Sequence, residues 1–369
     1  LADVSRALPT QSRLPLPVDS QTLMDQNLRN PYYQRWSFGI QRELPGNFIA
    51  ETSYVGSKGT KLFINEDRNP LVPASLRIQP AGVTPPYATQ GRYDNLQGAR
   101  LTRTNAGASS YHSMQLQATR RFKNGFIAGA SYTWSKMIDN GSEVFGVAAT
   151  GLSQQSAVPW VFGGGAFERG LSFFDRPHRF TTSYVYQLPF YKDQKGFAGH
   201  LLGGWQLSGI LLFESGVPFN ITNGQDADGL GGALDRPIYN PNGRKDSRAV
   251  PNAASSTGYV DPDNGNAPVD PAQAMYIGVR AHSGAVPLPT GNLGRNTMRN
   301  RPDFNWDCSA LKDFVFSERL RMQFRFEAFH ASNTPRFNQP GQSLGTAAFG
   351  TITGAETPRN LQLGLKLVW

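Results

Sequence analysis

Two segments near the C-terminus alternate between apolar and polar residues with a period of two. Between residues 319 and 328 every second side chain is apolar, and arginine, glutamine and glutamate fill the positions between. Between residues 360 and 369 leucine occupies every second position up to the terminal Trp369. Successive side chains of a β-strand point to opposite faces, so both segments are predicted to be strands with one apolar and one polar face. This pattern is typical of a strand that separates lipid from a water-filled lumen.

The same alternation recurs upstream and predicts four β-hairpins before the final strand. Pro45-Gly46 and Asn124-Gly125 support two of these hairpins, because such pairs favour tight turns between antiparallel strands. The predicted strands cover residues 33–43 and 48–54, 111–122 and 126–138, 178–188 and 202–215, 303–314 and 319–330, and finally 360–369.

The predicted strands are joined alternately by short turns and long irregular loops. The long loops are predicted at residues 57–110, 139–177, 216–301 and 331–359, and residues 1–31 are also predicted to be irregular. Loops of this length are unusual in a compact soluble domain. Outer-membrane barrels combine short periplasmic turns with long external loops, so the fold class predicted is an all-β antiparallel transmembrane β-barrel. Trp369 would then end the last strand at the periplasmic interface.

Composition agrees with a strand-and-loop membrane protein. Hydrophobic residues make up only 39% of the 369 residues, and no run of 18 or more apolar residues predicts a transmembrane helix. The chain has 39 glycines and 26 prolines with 11% aromatic residues, which favours strands and loops over disorder. The first residue is Leu and no signal peptide is visible, so we expect the chain to be a fragment of a longer precursor.

The net charge of +9 allows two interpretations. One is nucleic-acid binding, and the other is a cationic lumen or cationic loops beside an anionic leaflet. The basic residues are scattered at alternate strand positions and form no cluster, so nucleic acid is not predicted to be a partner. The single cysteine, Cys308, excludes an intramolecular disulfide and a cysteine metal cluster.

Several motifs resemble the barrel of TonB-dependent outer-membrane receptors. They are similar, more narrowly, to the Oar-like branch, whose members carry an N-terminal carboxypeptidase-regulatory-like domain. The resemblance spans nearly the whole chain and keeps the motif order, although His330-Ala331 departs from the usual pattern. The motifs are Asn30-Pro31-Tyr32-Tyr33-Gln34-Arg35-Trp36-Ser37, Tyr54-Val55-Gly56-Ser57-Lys58-Gly59, Phe174-Asp175-Arg176-Pro177-His178-Arg179-Phe180, Gly294-Arg295-Asn296-Thr297, Phe304-Asn305-Trp306-Asp307, Leu311-Lys312-Asp313-Phe314, Arg325-Phe326-Glu327-Ala328-Phe329, Asn333-Thr334-Pro335, Phe337-Asn338-Gln339-Pro340, Phe349-Gly350 and Pro358-Arg359-Asn360.

The resemblance implies that residues 1–369 form one partial, C-terminal barrel domain. Family barrels have roughly 22 strands, so the nine or so strands here would be the last nine, without the plug domain and the TonB-contacting box. Nine strands leave two sheet edges, and we expect an open, curved half-barrel.

The resemblance also implies a function and a set of partners. External loops would bind a scarce large solute, and TonB with its inner-membrane energising complex would act through the missing plug. No covalent chemistry, no enzyme activity and no cofactor are expected. The other partners are outer-membrane lipid, an unidentified solute, and the barrel-assembly machinery, which recognises a last strand carrying Leu361, Leu363, Leu365, Leu367 and Trp369. Two alternatives remain: an outer-membrane adhesion or structural protein of the Oar-like type, and a soluble secreted carbohydrate-binding β-sandwich.

Polar strand positions are the candidate site residues. They would form a charged lumen wall that contacts the plug or guides an anionic solute, or would simply pair with one another and with water. The predicted lumen-facing residues are Arg35, Glu51, Gln115, Gln117, Arg121, Glu214, Arg321, Gln323, Arg325, Glu327 and Lys366. The tryptophans on the opposite face are predicted to anchor the barrel at the membrane interface, the alternative being a soluble sandwich core. These are Trp36, Trp134, Trp205, Trp306 and Trp369.

Other chemistry-bearing residues lack the spacing of a site. Two acidic, glycine-containing loops could supply oxygen ligands to calcium, but neither has the EF-hand spacing with a closing glutamate, and solvated loops are the favoured interpretation. Gly163-Gly164-Gly165 lacks the strand and helix of a phosphate-binding loop. The histidines are far apart and have no metal spacing, so neither a metal nor a catalytic set is predicted. The candidate oxygen ligands are Asp226, Asp228 and Asp235 in one loop, and Asp261, Asp263 and Asn264 in the other.

Overall fold

The computed structural model describes residues 21–72, 74–78, 82, 91–143, 163–227, 235–280, 291–317 and 320–369. Its main element is a single antiparallel sheet in which nine long strands lie side by side in chain order. The strands are β1 (Tyr32–Leu44), β2 (Phe48–Asp67), β3 (Arg100–Lys123), β4 (Phe126–Asp139), β5 (His178–Gln187), β6 (Trp205–Glu214), β7 (Asp303–Val315), β8 (Arg321–Phe329) and β9 (Asn360–Val368).

The sheet is open. Within the described ranges β1 pairs only with β2 and β9 only with β8. The predicted fold class, an all-β antiparallel sheet that forms an open part of a barrel, is therefore confirmed.

The pairing registers give the sheet one apolar and one polar face. Directly opposed residues of neighbouring strands share a face, and Phe38, Tyr54, Met114 and Trp134 follow one another across β1 to β4. Phe180, Phe213 and Phe304 form a parallel row on the same face across β5 to β7, where Phe180 opposes Tyr132 of β4. This apolar face is widely exposed, with Phe38 at 70% and Leu365 at 69%. An extended surface of this kind is suited to lipid.

Two of the short turns depend on backbone conformations that few residue types adopt. Gly46 and Asn47 have φ angles of 84° and 66°, and Asn124 and Gly125 have φ angles of 55° and 78°. Asn124-Gly125 is a two-residue turn, and positive φ at both positions matches the right-handed twist of the flanking strands. Gly46 and Asn47 belong to a three-residue turn, 45–47, between the paired residues Leu44 and Phe48.

The short connection between β5 and β6 differs from the prediction. Helix α2 (Gly196–Leu202) lies between β5 and β6, so the predicted strand start at Leu202 is wrong and β6 begins at Trp205. Lys195, Gly196 and Phe197 carry no alternation, and the helical segment is too short to give a periodic pattern of its own.

The predicted loop at 57–110 is also wrong at both ends. β2 has 20 residues and β3 has 24, whereas roughly 9–11 residues cross a bilayer. The extra parts pair with each other beyond the apolar region, with register irregularities between Thr60 and Ile64. Polar residues such as Asn65, Thr102 and Thr104 are buried in this extension beside Ile64, so it shows no apolar period, and the sequence pattern misses it.

The external segments 216–301 and 331–359, predicted to be irregular, contain a small folded unit, which we call the external cap. Its core joins Phe219, Val250, Tyr276 and Leu293 with Leu344 from the second segment. Its strands are Pro218–Phe219, Ile238–Tyr239, Arg244–Pro251, Tyr259–Asp261, Ala267–Pro268, Ala274–Ile277 and Met298–Arg299.

The remaining elements are short. They are the strands Gln21–Met24 and Gly170–Leu171, helix α1 (Gly164–Phe167), and the 3-10 helices Ala74–Leu76, Pro262–Asn264 and Pro271–Gln273. None of the helices in the described ranges has the length and apolarity needed to span a membrane.

Candidate functional site

The eleven predicted lumen-facing residues share the polar face. Arg35, Gln41, Glu51 and Gln117 lie on one side of β1 to β3, and the registers carry that side through to β9. Glu214 opposes Arg179 on β5, and Gln323 opposes Lys366 on β9. The remaining members, at positions 115, 121, 321, 325 and 327, follow the same alternation. That this face borders a lumen stays a prediction.

Some polar-face residues satisfy one another. Arg121 lies 3.2 Å from Glu43, with both side chains more than half exposed. Glu214 lies 3.7 Å from Arg179 and 3.8 Å from Arg176. Such exposed or partly exposed pairs each contribute about 0–1 kcal/mol, so they organise the surface more than they stabilise it.

The polar face of β8 and β9 carries charges without ion-pair partners in the described part of the chain. These are Arg321, Arg325, Glu327 and Lys366. Gln323 donates a 2.9 Å hydrogen bond to Asp313 on β7. Fully paired charges would be inert, whereas this region keeps donors and acceptors available to a second molecular surface.

A buried ion pair ties the external cap to the end of β4. The guanidinium of Arg295 contacts the Asp139 carboxylate, and both side chains are 2% exposed. Arg295 also donates to the carbonyl oxygens of Asp139 at 2.9 Å and Glu168 at 2.8 Å. Removing one partner from such a pair leaves an uncompensated buried charge, which costs about 3–5 kcal/mol. The cap is therefore fixed to the sheet.

Two further arginines repeat the arrangement. Arg299 contacts the carboxylate of Asp175, which is 1% exposed in its side chain, and donates to Gly216 O at 3.2 Å. Arg236 contacts Glu168 and lies with its guanidinium 5.0 Å from the Phe167 ring. Burial lowers the pKa of Arg236, and the neighbouring Glu168 carboxylate opposes that shift. The guanidinium stays charged because its ordinary pKa is above about 12.

These arginines were not predicted as functional residues. Asp175, Arg295 and Asn296 belong to motifs that carry the family resemblance, and these motifs were the sequence feature that could have identified them. Asn296 is fully buried and donates to Leu171 O at 2.8 Å. These three motif residues thus act at the junction between cap and sheet.

A groove of about 510 Å³ opens beside the long ends of β3 and β4. Lys58, Asp139, Asn140 and Arg169 line it together with Ile138 and small residues. Lys58 and Arg169 are exposed, and Asn140 is fixed by donating to Ala106 O at 2.8 Å. The groove places two exposed cations beside a largely apolar lining, and its carboxylate, Asp139, is paired with Arg295. Its free polar groups therefore suit a molecule that carries anionic or hydroxyl groups.

The acidic loops direct their carboxylates to protein donors. Asp261 accepts from the Ser247 hydroxyl at 2.7 Å and from the Asp263 backbone N–H at 3.0 Å. Asp235 accepts from the Ala227 N–H at 2.6 Å, and Asp228 lies outside the described residues. In the described ranges no three His, Cys, Asp or Glu side chains come together as a metal site.

The histidines are separate. Nδ1 of His112 is bonded to the Tyr54 hydroxyl at 2.7 Å, and Nδ1 of His178 to the Tyr132 hydroxyl at 2.8 Å. His282 lies outside the described residues. The two His–Tyr pairs lie on the apolar face near its external end, a position suited to the membrane interface.

The predicted assembly signal lies on the edge strand β9. Leu361, Leu363, Leu365 and Leu367 are 50–69% exposed on the apolar face, and Trp369 is 87% exposed. Val368 opposes Arg321, which places Trp369 at the end of the sheet where the short connections lie. Recognition by the assembly machinery stays a prediction.

Fold, faces and cap define an outer-membrane barrel segment, and a family comparison agrees. The family described as "Outer membrane beta barrel domain" matches residues 3–362, so the chain belongs to this family and lies in the outer membrane of a Gram-negative bacterium. No curated protein matches the sequence.

Three solved structures illustrate the structural likeness. The outer membrane transporter YddB from Escherichia coli is 10% identical with a TM-score of 0.47, and the match covers 95% of this chain and 34% of YddB. The FrpB iron transporter from Neisseria meningitidis is 12% identical with a TM-score of 0.40, and the match covers 94% of this chain and 32% of FrpB. The ferripyoverdine receptor of Pseudomonas aeruginosa is 10% identical with a TM-score of 0.39, and the match covers 91% of this chain and 27% of the receptor. The chain thus spans about a third of the length of these proteins.

Proposed function

We propose that the chain supplies barrel strands to a TonB-dependent outer-membrane receptor of the Oar-like branch, which takes up a scarce, large solute. The observation that carries this proposal is the folded external cap, held to the strand ends by buried ion pairs such as Arg295–Asp139. An ordered cap presents a solute with a preorganised surface, which reduces the entropic cost of binding. The motif resemblance described above supports the same family.

In this proposal the apolar face contacts lipid, and the short connections lie in the periplasm. The polar face borders the lumen, where Arg321, Arg325, Glu327 and Lys366 contact a plug domain or line the solute path. The two edge strands pair with further strands, because backbone N–H and C=O groups left open in lipid cost several kcal/mol each. The barrel-assembly machinery recognises β9 through its exposed leucines and Trp369.

The solute would bind first at the cap and at the groove lined by Lys58, Asn140 and Arg169. Both lie at the end of the sheet away from the short turns. TonB and its inner-membrane complex would then supply energy through the plug. The solute in this scheme carries anionic or hydroxyl groups, in keeping with the lining of the groove.

Solute accumulation in cells tests this proposal. The complete receptor is expressed in a strain lacking it, and uptake is measured for radiolabelled metal chelates, cobalamin and oligosaccharides, with and without a protonophore. We expect one class to bind and accumulate, and the protonophore to abolish accumulation while leaving surface binding. The double variant Lys58→Gln/Arg169→Gln should weaken binding, whereas Lys192→Gln/Lys195→Gln, at the opposite end of the sheet, should not.

Uptake that continues at full rate with the protonophore would overturn energised transport. Attachment of cells to a surface or matrix, lost on deletion of the receptor and unaccompanied by uptake of any solute tested, would favour the adhesion function.

A further inference from the structure

The connection between β5 and β6 folds back onto the apolar face. Trp205 Nε1 donates to Leu201 O at 3.0 Å, and Gln194 Nε2 donates to Asp313 O at 2.8 Å. Gly203 allows the tight reversal, because a Cβ there would lie 2.0 Å from the Tyr191 carbonyl oxygen. Helix α2 is therefore held against the ends of β6 and β7.

Lys312 shows on which side the connection lies. It opposes Trp205 and Phe324 and so shares the apolar face, yet it is only 1% exposed. Its ammonium donates to Gly203 O and to Asp313 O at 3.2 Å, and lies 4.5 Å from the Phe314 ring. A lysine on a lipid-facing surface is unfavourable unless its charge is covered, and the connection provides that cover.

Between the connection and the strands runs an apolar groove of about 410 Å³. Trp205, Leu207 and Ala310 form its floor on the apolar face. Leu188, Phe190, Tyr191 and Leu202 form its wall. Its size falls within the range of roughly 300–1,000 Å³ typical of small-molecule sites. Because the floor continues the lipid-facing surface, the groove opens towards hydrocarbon.

The outside of the connection combines apolar and basic side chains. Phe197 is 86% exposed, and Phe190 and Leu201 are 59% and 55% exposed. Lys192 and Lys195 are exposed in the same segment, with the exposed Asp193 between them, so the segment keeps a net positive charge. Exposed aromatic and aliphatic residues beside lysines are characteristic of segments that lie in the headgroup region.

We propose that this connection binds one anionic glycerophospholipid of the inner leaflet. An acyl chain occupies the groove, and Lys192 and Lys195 bind the phosphate. The proposal rests on the placement of the apolar face in lipid given above. A water-soluble protein partner fits less well, because it would have to enter the hydrocarbon layer to reach a floor formed by the strands. Arg42 and Arg120 also lie on the apolar face near the short turns, and their positive charges likewise favour an anionic lipid headgroup at this end of the sheet.

Native mass spectrometry of the complete receptor tests the site. The protein is extracted in mild detergent and equilibrated with mixed micelles holding equal amounts of phosphatidylglycerol and phosphatidylcholine. We expect one phosphatidylglycerol to be retained per receptor. Lys192→Gln/Lys195→Gln should weaken retention about 30-fold, because each lysine near an anionic surface contributes about a factor of five. Lys58→Gln/Lys136→Gln makes the same charge change at the opposite end and should leave retention unchanged.

A second variant tests the groove itself. Ala310→Phe places a ring on the groove floor and should lower retention of both lipids without changing the preference between them. Heat-modifiable electrophoretic mobility of each variant reports whether the barrel is folded, so a loss of lipid can be separated from a loss of fold.

Equal phosphatidylglycerol retention by the wild type and Lys192→Gln/Lys195→Gln would overturn the proposal. Equal retention of the two lipids by the wild type would do the same, as would a protein found bound in the groove. The placement of the apolar face in lipid is tested separately, because a receptor released from membranes without detergent would refute it. A receptor that needs detergent and transports solute, yet retains no phosphatidylglycerol, would refute only the lipid site.

Discussion

Replacing Arg295 with methionine should open the external cap while leaving the barrel folded. The substitution keeps an unbranched side chain of similar length and removes the charge opposite Asp139. Both side chains of this ion pair are 2% exposed, so water cannot solvate the carboxylate that remains. Three further hydrogen bonds from the guanidinium, to Asp139 O, Glu168 O and the Ser142 hydroxyl, are lost at the same time.

Breaking a buried pair on one side costs about 3–5 kcal/mol. At about 1.4 kcal/mol for each factor of ten, the population of the opened cap should rise roughly a hundred- to several-thousand-fold. Arg121→Met provides the control, because Arg121 and Glu43 also form an ion pair, at 3.2 Å, but their side chains are 62% and 73% exposed. That exposed pair should contribute no more than about 1 kcal/mol.

Hydrogen exchange measures local opening of this kind. The informative amides are those of Asn300 and Leu344, which donate to Val217 O and Thr222 O at 3.0 Å. They should lose protection in Arg295→Met, while amides in the middle of β7 and β8 keep theirs. The double variant Arg295→Met/Asp139→Asn should recover part of the loss, because it removes the stranded charge.

Equally high cap protection in Arg295→Met and Arg121→Met would mean that the apolar cap core alone fixes the cap, and would refute a role for the ion pair. If Asp139→Asn fails to offset any of the Arg295→Met effect, the stranded charge is refuted as its cause, and the loss comes from the other hydrogen bonds of the guanidinium.

Three other predictions follow from the same structure. Trp369→Asp should reduce the fraction of receptor reaching the surface in folded form while leaving solute affinity per folded molecule unchanged, as measured by surface labelling and binding; normal display would argue against an assembly role. Gly203→Ala should lower the free energy of unfolding by several times the roughly 1 kcal/mol expected for Gly265→Ala, because a Cβ at Gly203 meets backbone and one at Gly265 meets nothing within 4 Å. Urea unfolding midpoints of the two variants measure this difference. Burial raises the pKa of Tyr276, so the folded cap favours the neutral phenol; this stabilisation is complete below the unfolded pKa of about 10 and falls as the pH rises above it. Cap proteolysis between pH 9 and 11 should show this fall in the wild type and less of it in Tyr276→Phe.

The membrane-crossing part of the fold could be predicted from sequence because lipid and water impose a strict alternation. The alternating residues Trp36 and Phe38 in β1, and Leu361 to Leu367 in β9, follow that rule, and the predicted bounds of these strands lie within a few residues of the observed ones. The distal halves of β2 and β3 bury polar residues such as Asn65 and Thr104 beside Ile64, so their sequence shows no alternation. Helix α2 is too short to show a helical period, and its position depends on Gly203 and on contacts with β7.

The candidate site was predictable only in part, for a related reason. A polar row such as Arg321 to Glu327 is visible within one strand. The cap is not, because its core gathers single residues such as Phe219, Tyr276 and Leu344 from short strands far apart in the chain. Arg295 and Asp139 are separated by 156 positions, and no local pattern marks them as partners.

The positions of the motif residues also limit what the family resemblance can indicate. Asp175, Arg295 and Asn296 bind cap to strand, and Asn333 accepts from the Arg359 N–H at 3.3 Å to join the ends of one external connection. Asp303 is held by Arg336 at 2.7 Å beside the same connection. These contacts are internal, so motifs of this kind specify how external segments are fixed to the barrel. Ligand recognition requires exposed groups, such as Lys58 and Arg169, and two receptors can share every motif while binding different solutes. For the proposed receptor function, the groove and the cap surface are therefore the places to vary in a search for the solute, and substitutions at the motif residues are expected to change cap stability and affinity together.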